Sequence, residues 1–171
     1  MSRFDATLRH GTVSHPVRCA ILISGSGSGM EAMLEHQQNN PTCGHTTVVV
    51  ISDRSEASGV LKARNRGIEA RCIPLPMSYE GHERRLKHEA LIQELLEEFD
   101  VELILLSGYM RLKSSQFVEL WAPRIINIHP SLLPAFPGAH AHRDVLASGV
   151  NVSGCTIHFV DSGMDTGQII A

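Results

Sequence analysis

Short, largely apolar segments recur along this chain and restrict its fold more than any other feature. The first, residues 19–23 (CAILI), stops at Ser24 and Gly25, and similar segments occupy residues 47–51, 101–106, 124–128 and 155–160. Strands that are apolar on both faces are typical of a parallel sheet covered on both sides. The chain must therefore supply a layer of helices for each face of that sheet.

Amphipathic helical patterns lie between these segments. Ile92, Leu95, Leu96 and Phe99 follow the i, i+3, i+4, i+7 spacing, which predicts a helix over residues 82–99. Further helices are predicted over residues 31–38, 57–66, 114–121 and 142–148. The alternation predicts an α/β three-layer sandwich, with a Rossmann-like, mostly parallel sheet and helices on both faces.

The length of 171 residues fits one domain. Residues 1–17 are polar and aperiodic, so we expect a loose N-terminal extension followed by one domain over residues 18–171. Residues 167–171 resemble the beginning of a strand, and we therefore expect the domain to be C-terminally incomplete.

Charge and cysteine content exclude several classes of protein. A net charge of −3 gives no general attraction to nucleic acid or anionic lipid, and the aliphatic runs are far shorter than the roughly 20 residues that cross a bilayer. The four cysteines form no Cys-x-x-Cys pair, and the first residues lack the apolar core of a signal peptide. These features predict a cytoplasmic protein without a nucleic-acid or membrane partner.

A glycine-serine loop, residues 24–29 (SGSGSG), follows the first predicted strand and leads into a helix. Main-chain N–H groups of such a loop, together with the helix N-terminus, favour a bound phosphate. Met30 stands where the dinucleotide-binding motif has its last glycine, and the lysine of a P-loop is absent. Asp53 nevertheless keeps a non-catalytic dinucleotide-binding module open as an alternative, since an acid after the second strand can bind ribose.

Asn127 and His129 interrupt an otherwise apolar strand that ends at Pro130. Their spacing places both side chains on one face, and burying an amide and an imidazole there costs free energy unless they have partners. An amide N–H and a protonated imidazole can together stabilise the oxyanion of an acyl transfer. A nearby carboxylate raises the pKa of an imidazole; Asp161 and Asp165 are both candidates, and the spacing does not choose between them.

A metal site is the alternative role for some of the histidines. His129, His140, His142 and His158 could supply zinc ligands, but His140 and His142 are only two residues apart and no cysteine accompanies them. We expect no metal. The remaining histidines, including His88, are expected to be solvated.

Four motifs, in order, resemble those of phosphoribosylglycinamide formyltransferases: ILISGSGSG, LLSGYMR, INIHPSLLPAFPG and HFVDSGMDTG. The resemblance extends over essentially the whole chain from residue 19. It implies transfer of a formyl group from 10-formyltetrahydrofolate to the amine of phosphoribosylglycinamide, a step of purine (IMP) biosynthesis. Both partners are small molecules, no metal or redox cofactor is needed, and the protein is expected to be a monomer or a homodimer.

The resemblance also implies roles for individual residues. It gives Asn127 the oxyanion and a folate contact, His129 the catalytic imidazole, and Asp165 the carboxylate that keeps this imidazole protonated. Gly27, Ser28 and Gly29 take the positions that bind the substrate phosphate, and the family usually has Asn at the last of these. The folate-binding stretch corresponds to Met110, Arg111, Leu112 and Lys113, where main chain and apolar side chains hold the pteridine end of the folate.

Two related folate enzymes fit the sequence less well. A methionyl-tRNA formyltransferase has a C-terminal tRNA-binding domain and lacks a phosphate loop of this type. A formyltetrahydrofolate deformylase has a regulatory domain before the first strand, where this sequence offers about 18 residues. Both enzymes stay as alternatives.

Overall fold

The computed structural model describes residues 9–171, and within them the chain forms six strands and five helices. The strands are β1 (Val17–Ile23), β2 (His45–Ser52), β3 (Ala70–Cys72), β4 (Leu103–Ser107), β5 (Ile125–His129) and β6 (Thr156–Phe159). The helices are α1 (Ser28–Asn39), α2 (Ser58–Asn65), α3 (Gly81–Glu98), α4 (Ser115–Trp121) and α5 (Ala141–Ser148).

The strands form one sheet in the order β3-β2-β1-β4-β5-β6. Strands β1 to β5 are mutually parallel, and β6 is antiparallel to β5. Because the side chains of a strand alternate between the two faces, the central strand β1 contributes to two separate cores. Ala20 and Leu22 pack with α3 and α4, whereas Ile21 and Ile23 pack with α1 and α2. The predicted mostly parallel sheet with helices on both faces is confirmed.

Two features of the sheet differ from the sequence-based expectation. Strand β3 was not predicted, because it has only three residues and Arg71 interrupts its apolar character. The antiparallel direction of β6 is not encoded in its apolar pattern, which is the same for either direction. After β6 the chain turns back, and Ile169 forms an antiparallel bridge with His158.

Residues 9–16 contain no helix or strand, but they contact the domain. Arg9 Nε lies 2.6 Å from Glu102 Oε1, and its Nη1 donates a hydrogen bond of 2.7 Å to His15 O. The rest of the predicted extension, residues 1–8, lies outside the described residues. The boundary of the domain at residue 18 and its incomplete C-terminus stay predictions.

The expectation that His88 is solvated is wrong. This residue lies on the inner face of α3, and its Nε2 donates a hydrogen bond of 2.7 Å to Ile73 O. Burial lowers the pKa of His88, so the neutral ring is favoured there.

Candidate active site

A cleft of about 750 Å³ opens at the carboxyl ends of β1, β4 and β5. Parallel strands end at the same edge of a sheet, so segments that are remote in sequence meet there. The walls of the cleft are formed by residues 25–29, 106–113, 127–130, 138–143, 158 and 160–165. All of the predicted site residues line this one cleft.

His129, the last residue of β5, is 4% exposed and its ring is fixed on both sides. Its Nε2 donates a hydrogen bond of 2.9 Å to Phe136 O. Its Nδ1 lies 3.4 Å from Asp165 Oδ2, so a carboxylate faces the ring on this side.

Asp165 contacts three residues of the site through one carboxylate. Its Oδ2 accepts a hydrogen bond of 2.7 Å from Gly138 N in addition to its contact with His129, and its Oδ1 accepts one of 3.4 Å from Asn127 Nδ2. Asp161, in contrast, accepts hydrogen bonds from Thr166 Oγ1 and Gly163 N within its own loop. Of the two candidate acids, the structure brings Asp165 to the imidazole.

The N–H groups of Asn127 and His129 therefore converge on negatively charged oxygen atoms. Both side chains come from β5, two residues apart, and neither depends on a flexible surface segment. An amide and an imidazolium in fixed positions are suited to stabilising an oxyanion that forms during the attack on a carbonyl carbon.

His158 belongs to this cluster, although the sequence analysis considered it only as a metal ligand. It lies in β6 directly opposite Asn127, and only 2% of it is exposed. Its Nδ1 donates to Phe159 O, so its Nε2 accepts from Asn127 Nδ2 at 3.1 Å. A polar residue within an apolar strand, the signal that identified Asn127 and His129, was present here as well.

The glycine-serine loop leads directly into α1, which begins at Ser28 rather than at the predicted residue 31. Gly27 precedes the helix with φ +67°, a left-handed conformation that favours glycine, and a Cβ there would lie 3.2 Å from Gly59 Cα. The N–H group of Glu31 is the first to bond back to Gly27 O. The N–H groups of Ser28 and Gly29, which line the cleft, have no acceptor within the helix and are available to an anion.

Residues 110–113 form another wall of the cleft, and buried polar groups fix the position of this wall. Ser24 Oγ accepts a hydrogen bond of 2.9 Å from Met110 N, and Arg111 Nε lies 2.7 Å from Asp53 Oδ2. Burial alone would raise the pKa of Asp53, but hydrogen bonds with Ser24 and Arg111 and the charge of Arg111 bring it below the ordinary value. Met110 and Leu112 are about half exposed towards the cleft.

The position of Asp53 contradicts a ribose-binding role. Its side chain is completely buried and already holds Arg111, so a ribose would have to displace an ion pair to reach it. Met30 is also completely buried at the start of α1, in the place of the motif's last glycine. The alternative of a dinucleotide-binding module is therefore not supported.

One known protein family matches almost the whole described part of the chain. The model of the formyl transferase family matches residues 17–171. The chain belongs to the formyl transferase family. The family resemblance stated from the four sequence motifs is thus confirmed.

Named members of the formyl transferase family are similar over most of this chain. The trifunctional purine biosynthetic protein adenosine-3 of Bos taurus is 40% identical over 168 residues, 97% of this chain and 16% of that protein. The phosphoribosylglycinamide formyltransferase of Escherichia coli K12 is 36% identical over 152 residues, 88% of this chain and 68% of that protein. The chain thus spans a small part of the trifunctional relatives and about two thirds of the bacterial one.

A solved structure confirms the formyl transferase fold. Glycinamide ribonucleotide transformylase 1 from Symbiobacterium toebii superimposes with a TM-score of 0.83 at 42% identity, covering 92% of this chain and 72% of that one. The Rossmann-like arrangement of strands and helices is therefore shared with this relative.

The four histidines considered for zinc line the same cleft of this formyl transferase, but they differ in their partners and in their exposure. His129 contacts Asp165, and His158 accepts a hydrogen bond from Asn127. His140 and His142 lie at the start of α5 and are exposed. Within residues 9–171 no three His, Cys, Asp or Glu side chains are arranged to hold a metal ion. No helix in the described part of the chain is long and apolar enough to span a membrane.

Proposed function

We propose that this formyl transferase chain transfers the formyl group of 10-formyltetrahydrofolate to the amine of phosphoribosylglycinamide, in purine biosynthesis. The observation that carries the proposal is the meeting of Asn127, His129 and Asp165 in the cleft that also contains the glycine loop. One half of that cleft offers main-chain N–H groups for a phosphate, and the other half offers a wall of residues 110–113 for the folate. The triad lies in the same cleft.

In the proposed reaction the glycinamide amine, as the free base, attacks the formyl carbon. The electron pair of the carbonyl bond moves to its oxygen, and this oxyanion is stabilised by the N–H groups of Asn127 and His129. Collapse of the intermediate breaks the bond between the formyl carbon and the folate nitrogen. The proton lost by the attacking amine balances the one gained by the departing nitrogen.

Asp165 has two consecutive tasks in this scheme. In the free protein its carboxylate occupies the point on which the two N–H groups converge. The oxyanion requires that point, so the carboxylate of Asp165 has to release the N–H groups of both Asn127 and His129 when the substrates bind. It then stays close to His129, where it orients the group that transfers the proton.

The proposed substrates are small molecules, and formyl folate is consumed as a co-substrate. The four cysteines are free, as expected for the reducing environment of the cytoplasm, where we place the reaction.

The phosphate half of the cleft can be tested with the substrate itself. Release of tetrahydrofolate should be measured with phosphoribosylglycinamide and with its dephosphorylated analogue. We expect kcat/KM to fall by about 100-fold or more without the phosphate, since charge-assisted hydrogen bonds at a helix N-terminus are lost. Equal kcat/KM for the two acceptors, or no formyl transfer to either, would contradict the proposal.

A further inference from the structure

Lys113 carries an amine in the wall of the cleft, where the family resemblance implies apolar side chains. The residue is only 8% exposed although it lines the cleft. Its Nζ lies 4.2 Å from the centre of the Tyr109 ring and 5.1 Å from that of Phe117. The described structure gives Nζ no hydrogen bond and no ion pair.

The charged groups around Lys113 are already engaged with other partners. Glu89, on α3, accepts hydrogen bonds from the N–H and the hydroxyl of Ser114. Asp53 pairs with Arg111, and the neutral ring of His88 donates to a main-chain oxygen. The buried hydroxyl of Tyr109 completes the set of titratable groups near the amine.

Packing alone does not account for an amine in this position. Burial lowers the pKa of Lys113 to about 8, although the charges of Glu89 and Asp53 oppose the shift. Two aromatic faces attract an ammonium ion but offer no hydrogen-bond acceptor for its N–H groups. The ammonium of Lys113 therefore has no hydrogen-bond acceptor within the described protein, although the residue lines the cleft.

We propose that the ammonium group of Lys113 binds the folate co-substrate directly, by donating a hydrogen bond to the carbonyl oxygen of the pteridine ring. This inference depends on the proposed function, because that function places the pteridine against residues 110–113. It adds a charged contact to a wall that the resemblance describes as main chain and apolar side chains.

A pH dependence of binding follows from this contact. The ammonium form of Lys113 donates a stronger hydrogen bond than the neutral amine does. A bound acceptor in turn stabilises the ammonium form. Folate affinity should therefore be highest below about pH 8 and should decline above it, as free Lys113 loses its proton. The pKa of Lys113 should rise when folate binds.

The Kd of tetrahydrofolate should be measured under anaerobic conditions, from about pH 6.5 to about pH 9.5, for the wild-type chain and for Lys113→Met. Methionine matches the length of the side chain without its charge, and every other titrating group is shared. At the lowest pH we expect the variant to bind tetrahydrofolate about tenfold more weakly than the wild-type chain does. At the highest pH the ratio of the two Kd values should approach one. A ratio near one over the whole range would overturn the proposal.

A second measurement needs no variant. The sequence contains three lysines, Lys62, Lys87 and Lys113, so NMR of lysine labelled at Cε resolves them individually. Lys62 pairs with Glu31 and Lys87 stacks on Tyr79, and both serve as internal controls. Saturating tetrahydrofolate should raise the pKa of Lys113 alone; an unchanged or lowered value would overturn the proposal.

The two hypotheses fail in different ways. If the wild-type chain does not bind tetrahydrofolate at any pH, the proposed function itself is wrong, and the Lys113 contact falls with it. If the wild-type chain binds but Lys113→Met binds equally well, only the contact is wrong.

Discussion

Buried polar residues define the candidate site, and their sequence neighbours reveal only part of their roles. Asn127 and His129 could be predicted because each interrupts an apolar strand, at a cost in burial that a purely structural residue seldom justifies. Asp53 could not be assigned correctly, because its partner Arg111 lies 58 residues further along the chain. Its isolated position after a strand suggested ribose, whereas the fold uses it to fix the wall of the cleft.

The pairing of Asp53 with Arg111 predicts a pH-dependent contribution to stability. The pKa of Asp53 is lowered in the folded chain, so its contribution is present above the unfolded value of about 3.9 and is lost as the pH falls through the folded value. We expect Asp53→Asn to lower the free energy of unfolding by about 1 kcal/mol near pH 7, and by less near pH 3.

Urea denaturation at both pH values measures this effect. Asp144→Asn is a matched control, because Asp144 pairs with Arg143 on the surface and should contribute little at either pH. A loss of stability in Asp53→Asn that is the same at both pH values would show that its charge is not responsible.

At the scale of elements, apolar runs and helical periodicity located every helix and all but one strand. The short β3 was not predicted, because three residues with a central arginine show no detectable apolar period. The antiparallel direction of β6 could not be predicted, because the apolar pattern of a strand is the same for a parallel and an antiparallel neighbour. That direction matters, since antiparallel pairing places His158 opposite Asn127, and the chain after β6 then returns to bring Asp165 to His129.

The start of α1 predicts a coupling between two residues of different elements. A Cβ at Gly29 would overlap Ser107 Oγ at the end of β4, so the asparagine that the family usually has here requires the Ser107 side chain to move. We expect Gly29→Asn to lower the free energy of unfolding by about 1–3 kcal/mol. Combining it with Ser107→Ala should recover most of that loss.

Thermal and urea denaturation of the two single variants and the double variant give the coupling free energy. Ser107→Ala alone serves as the control and should have little effect. Additive losses in the double variant would mean that the two positions do not compete for the same space.

At the scale of the whole molecule, the fold brings the residues of the proposed formyl transfer together in one cleft. Parallel strands end at one edge and supply the glycine-serine loop, residues 110–113 and the Asn127–His129 pair, while the segment after β6 contributes Asp165. This edge of the sheet and the residues on it could be predicted from the sequence. The partners of each side chain depend on long-range packing, which no local pattern records.

The central claim is that Asp165 acts through His129 on the transition state of formyl transfer. The most direct test is the steady-state kinetics of Asp165→Asn beside the wild-type chain, with Asp144→Asn as the control, measured as release of tetrahydrofolate. We expect kcat to fall about 100-fold or more while KM for both substrates changes little, because Asp165 acts mainly on the transition state. A kcat equal to that of the wild-type chain would contradict it.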